Sequence, residues 1–145
     1  TLTAAQQNNF PRGLAADIKK SETTDSSITV EEVMLTLTFD QVSGRNYLIT
    51  YIEPNLTGSA AATATVRFRQ TNLAGGIYNT FRTQVAIATS ATAIVQYVHA
   101  ANTSSSLTIV ATIQASAGTI TATRSSSQIA NMFVTDLGTG YVYTT

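Results

Sequence analysis

Leu107-Thr108-Ile109-Val110-Ala111-Thr112-Ile113-Gln114 decides the fold class. Leu107, Ile109, Ala111 and Ile113 fall on one side of an extended chain, and Thr108, Val110, Thr112 and Gln114 on the other. A period of two, rich in β-branched residues, is a strand signal. Downstream, Ala117 and Gly118 have the length and glycine placement of a tight hairpin turn. Ile120 and Ala122 then alternate with Thr119, Thr121 and Thr123. Upstream, a polar loop from Asn102 to Ser106 leads back to Ile94, Gln96 and Val98, which alternate with Val95, Tyr97 and His99.

The same pattern recurs outward along the chain. Ala64, Val66 and Phe68 oppose Thr65, Arg67 and Arg69, and residues 47–52 are an unbroken run of β-formers. Ile129, Asn131, Phe133 and Thr135 precede a last strand at Tyr141 to Tyr143. Turns are expected at Ser43 and Gly44, at Pro54 and Asn55, at Thr57 and Gly58, at Gly75 and Gly76, and between Gly138 and Gly140. Strands so spaced indicate an antiparallel sandwich or barrel, an all-β chain. The best helical window is Leu2 to Asn9, with Thr3 as cap and Pro11 ending it. Residues 1–13 read as an extended N-terminal docking arm, with Leu2, Phe10, Pro11 and Arg12 as its contact residues. Residues 14–145 read as the β-sandwich domain.

At 145 residues the chain has the length of one domain. Only 11% of residues are charged, and eight basic residues balance eight acidic ones, so charge-driven nucleic-acid binding is not expected. Thr, Ala and Ser number 26, 20 and 13, a composition that alone would suit a disordered stalk. The hydrophobic content of 43% and the mere two prolines argue instead for a folded chain. No cysteine is present, which removes disulfides and thiolate chemistry. No apolar run reaches the roughly 18 residues of a membrane span, and the polar start shows no signal peptide. Thr1 without a preceding Met is expected of a mature product made in the cytoplasm.

Charge is unevenly placed. Residues 83–123 carry none, and only Arg124 and Asp136 lie beyond them. Burial in strands and coverage by another subunit both explain such a stretch, and both are expected to contribute. The region from Arg12 to Arg82 is expected to form more of the solvent face.

The catalytic inventory is thin. The lone His99 lies inside a strand pattern with no nucleophile motif beside it, and reads as a strand histidine at a loop edge. Glu31 and Glu32 point to opposite faces of a strand, so they do not converge on one substrate. Arg67 and Arg69 share a face that suits a solvated surface or carboxylates on the next strand. No metal-ligand spacing and no phosphate loop is present, so no cofactor and no metal is expected, and no enzyme. Asn55-Leu56-Thr57 and Asn102-Thr103-Ser104 match the glycosylation pattern, which has little weight without a signal peptide.

Four stretches taken in order carry a resemblance. They are Leu2-Thr3-Ala4-Ala5-Gln6 through Phe10-Pro11-Arg12-Gly13-Leu14, then Val42-Ser43-Gly44-Arg45-Asn46-Tyr47-Leu48-Ile49, then Ala64-Thr65-Val66-Arg67-Phe68-Arg69, then Met132-Phe133-Val134-Thr135-Asp136-Leu137-Gly138. The chain resembles small β-rich virion structural proteins of tailed bacteriophages, with one departure, Thr135 where the group usually has Glu. The resemblance implies a jelly-roll-like β-sandwich, commonly a homotrimer, on the capsid or the tail, with no catalytic residue. The expected function is a capsid decoration or cement protein bound to the outer shell. Its expected partners are other copies of itself and the major capsid protein or a tail protein, without nucleic acid or membrane. The alternative is a tail-associated or fibre module that binds a host-surface glycan, for which Tyr78, Tyr97, Tyr141 and Tyr143 are the stacking candidates. Either way the expected location is the virion, assembled in the bacterial host cytoplasm.

Overall fold

A computed structural model of the chain describes Thr3, Gln7, residues 9–87 and residues 89–139. The reading of residues 141–143 as a strand lies outside them. Among the described residues eleven strands follow in order: β1 (Gly13–Leu14), β2 (Lys19–Ser21), β3 (Asp25–Ile28), β4 (Glu32–Gln41), β5 (Asn46–Gly58), β6 (Ala62–Gln70), β7 (Ile77–Val85), β8 (Ala91–Ala100), β9 (Ser105–Ala115), β10 (Ile120–Ala122) and β11 (Ala130–Gly138). The three shortest at the N-terminus form one broken row, because Gly13 pairs with Asp136, Lys20 with Asn131 and Ile28 with Ile120. β10 and β11 form a second broken row along β5. The first sheet therefore runs β1/β2/β3, β11/β10, β5, β8, and the second runs β4, β9, β6, β7. All of these pairings are antiparallel, and the chain switches sheets repeatedly, which makes an eight-row jelly-roll-like sandwich.

Alternation decides what is buried. Tyr47, Ile49 and Tyr51 of β5 and Met132 and Val134 of β11 point inward from the first sheet. Leu37, Phe39, Val66, Phe68, Ile109 and Ile113 meet them from the second. Of the side chains opposite Leu107, Ile109, Ala111 and Ile113, Thr108 and Gln114 are half-buried, whereas Val110 and Thr112 are buried too, so β9 is covered on both faces at its centre.

Three expectations need correction. Pro54 and Asn55 do not end β5, which continues to Gly58 through a bulge between Glu53 and Leu56. Proline is tolerated there because a bulge residue need not donate to the ladder. Ala117 and Gly118 do not close a hairpin: β9 lies in one sheet and β10 in the other, so this turn crosses between them. Gly118, at φ +58°, seats this crossing against Ser59 and Ala60. Residues 83–123 are also not uniformly core. β9 is buried in the middle of its sheet, whereas β8 is an edge strand whose Ile94 is 64% exposed. β4 and β7 are strands that the sequence reading did not single out.

Candidate functional site

The two charges that stand alone late in the sequence are buried, and each has a partner from the charged first half. Arg45 and Asp136 form a fork, with Nε to Oδ2 at 2.7 Å and Nη2 to Oδ1 at 2.9 Å. Arg124 and Glu53 form the second pair, Nη2 to Oε2 at 2.5 Å, and the Tyr51 hydroxyl donates to the same carboxylate. Arg45, Glu53, Arg124 and Asp136 are all buried, so the expectation that charge before Arg82 marks the solvent face fails for Arg45 and Glu53. Burial, with Glu53 adding to it, pushes the Tyr51 phenol well above its ordinary value, which keeps it a donor. Arg124 also donates to Ser21 and to the Thr23 carbonyl, which ties the β2–β3 link to β5.

The Arg45–Asp136 pair holds the N-terminal arm. Arg45 Nη2 donates to the Phe10 carbonyl at 2.8 Å. Asp136 Oδ1 accepts the Gly138 N–H at 2.8 Å, and the Thr139 N–H reaches the Asn9 carbonyl at 3.2 Å. Gly138 has φ +87°, and a Cβ there would sit 2.3 Å from the Asn9 carbonyl oxygen, so only glycine lets the arm lie this close. The backbone of residues 9–11 is thus fixed on its own sandwich. The Phe10 side chain is 52% exposed, and Pro11 and Arg12 are exposed beside it. Gln7 donates to the Thr3 carbonyl, and most of the helical window of residues 2–9 lies outside the described residues. Of the sequence-derived arm residues, Phe10, Pro11 and Arg12 are therefore presented together, and Leu2 lies outside the described residues.

On the outer face of the second sheet, Arg69 binds Glu31 through Nε to Oε1 at 2.7 Å and Nη2 to Oε2 at 2.8 Å, and Arg67 reaches Glu31 at 3.1 Å. The Thr112 hydroxyl donates to the same carboxylate at 2.6 Å. Hydrogen bonding from Arg69, against burial and with help from Thr112 and Arg67, lowers the Glu31 carboxyl to about 2. The carboxylate comes from beside β4, two strands away from β6, not from the next strand.

β7 and β8 close one side of the sandwich. Tyr78 and Tyr97 stack at 5.6 Å with 25° between planes, and His99 stands edge-on to Tyr78. The stacking candidates Tyr78 and Tyr97 thus spend a ring face on each other, and Tyr141 and Tyr143 lie outside the described residues. His99 meets the Gln41 amide oxygen at 2.7 Å, and burial lowers the pKa of its imidazole. A groove of about 250 Å3 lies nearby between Phe81 and Arg82 of β7 and Ala93 to Val95 of β8. Among the described residues, no three His, Asp or Glu side chains gather to hold a metal.

No protein-family profile and no curated protein matches the chain. Among solved structures it is similar to the VP2 subviral particle of infectious bursal disease virus, at 12% identity and TM-score 0.49. That match covers 86% of this chain and 33% of the VP2 chain, so this chain spans about a third of it. It is also similar to a CBM4 structure, at 13% identity and TM-score 0.47, over 91% of this chain and 83% of the other. At such identities the likeness is one of fold, the jelly-roll-like sandwich that the strand order already gives.

Proposed function

We propose that this chain is a non-enzymatic structural subunit of a tailed-bacteriophage virion: a decoration or cement protein that binds the outer capsid shell, self-associates as a homotrimer and docks through its N-terminal arm. The observation that supports the reading is the clamp on that arm. A buried ion pair and an obligatory glycine fix the backbone of residues 9–11, and the Phe10 side chain is left half exposed at the surface. An apolar side chain on a rigid backbone loses little entropy when a pocket on a partner takes it up. A shell component needs many such repeated contacts and no chemistry.

The test uses particles stripped of this chain, to which purified wild-type protein and a Phe10→Ala, Arg12→Ala double variant are added back. Wild-type protein saturating the shell at hundreds of copies, with occupancy reduced about tenfold or more in the variant, supports the reading. A handful of copies per particle overturns it in favour of a tail component. Full occupancy by the variant removes the arm from docking.

A further inference from the structure

The two outer faces of the sandwich differ in a way that its cores do not. On the second sheet, outward positions carry Asp40, Arg67, Arg69 and Arg82 among threonines and glutamines. On the first sheet, no charged residue occupies an outward position of β5, β8, β10 or β11. Registration places Asn131, Ile52 and Ile94 in one row, Phe133, Thr50 and Gln96 in the next, and Thr135, Leu48 and Val98 in a third. Leu14, 56% exposed, extends the third row at the β1 edge. β8 is also a ten-residue edge strand with no charge and no proline, the kind of edge that folded proteins usually protect.

We propose that this outer face of the first sheet is covered by a second copy of the chain. Its chemistry is self-complementary. Its apolar groups are Leu48 and Ile52 on β5, Phe133 on β11 and Ile94 and Val98 on the edge strand β8, and its polar groups are hydroxyls and carboxamides. Such groups both donate and accept, so they pair with their own kind, which like charges do not. The rim at β2 and the residues on either side of it carries Asp17, Lys19, Lys20 and Glu22, two of each sign, Lys20 extending the Asn131 row, and the whole chain has no net charge to repel its twin. Four rows about 4.8 Å apart, and strands of nine to ten residues, give a footprint of roughly 600 Å2. A pair would then bury about 1,200 Å2, the lower end of stable interfaces. A face that pairs with itself makes a two-fold contact, so this goes beyond the homotrimer proposed above: it joins two chains, or two trimers, back to back.

Sedimentation equilibrium of the full chain tests the proposal, with Ile94→Lys, Gln96→Lys and the opposite-face control Thr38→Lys, each checked for fold by circular dichroism. Both Ile94 and Gln96 are exposed, so neither substitution places a lysine in the core. The expected result is a wild-type and Thr38→Lys mass that is an even multiple of 15.3 kDa, and a dissociation constant raised about tenfold or more in the Ile94 and Gln96 variants. Wild-type protein that stays monomeric overturns the proposal, as does self-association that only Thr38→Lys disrupts. A monomer that decorates shells and loses them on Ile94→Lys assigns the face to a different protein, which also overturns it while the decoration reading stands. Self-association without shell binding does the reverse.

Discussion

Gly138 carries two constraints at once, a left-handed backbone and a carbonyl oxygen where a side chain would begin. Gly138→Ala should therefore cost about 1–3 kcal/mol and release the arm. Thermal unfolding measures the cost, and faster trypsin cleavage after Arg12 reports the release. The buried pair of Glu53 and Arg124 makes a different prediction. Arg124→Met leaves Glu53 as an uncompensated carboxylate and should destabilise by about 3–5 kcal/mol, whereas Glu53→Leu with Arg124→Met should recover much of that loss. Urea unfolding of the single and double variants checks this, and equal losses in both would count against it. The sequence showed that Arg124 and Asp136 stand apart from every other charge. It did not show their partners, because a hydrogen-bonded pair 71 or 91 positions apart leaves no local pattern.

At the scale of elements, one alternation has two fates. β9 and β8 both read as period-two strands, yet β9 is hydrogen-bonded on both sides and β8 on one. Ile113 is fully buried in β9, so Ile113→Ala should cost about 2–5 kcal/mol. Ile77 is 50% exposed on the edge strand β7, and Ile77→Ala should stay within about 0.5–1 kcal/mol. Chemical denaturation of the two variants compares them directly. Edge and centre are properties of sheet order, which periodicity does not encode. The bulge in β5 teaches the same lesson: Pro54 looks like a terminator until a second strand shows which N–H groups the ladder requires.

At the scale of the molecule, the acid response follows from Glu31. Its carboxyl is held near 2 when folded, against 4.5 as the ordinary value, so the unfolded chain binds its proton first as pH falls. The stability from this site is therefore present above about 4.5 and is lost progressively from there to about 2. Glu31→Gln should flatten the pH dependence of the melting temperature across that window; an unchanged slope would show that other carboxylates set it. Topology also bears on folding rate. Gly13 pairs with Asp136 and Ile28 with Ile120, so nearly the whole chain must be looped before the first sheet closes. Refolding should take milliseconds to seconds, as stopped-flow fluorescence of the tyrosines can measure.

The sequence by itself determined the all-β class, the inward faces of β6, β9 and β10, and the poverty of catalytic groups. These are local properties, set by which side of an extended backbone each residue takes. Only the tertiary structure decided which strands became edges, which charges were buried in pairs, that the arm lies clamped under Gly138, and that β5, β8, β10 and β11 present no charge outward while the other sheet does. Each of these depends on which distant strands lie side by side. That is fixed by the global burial of the whole core, not by any segment's own preference.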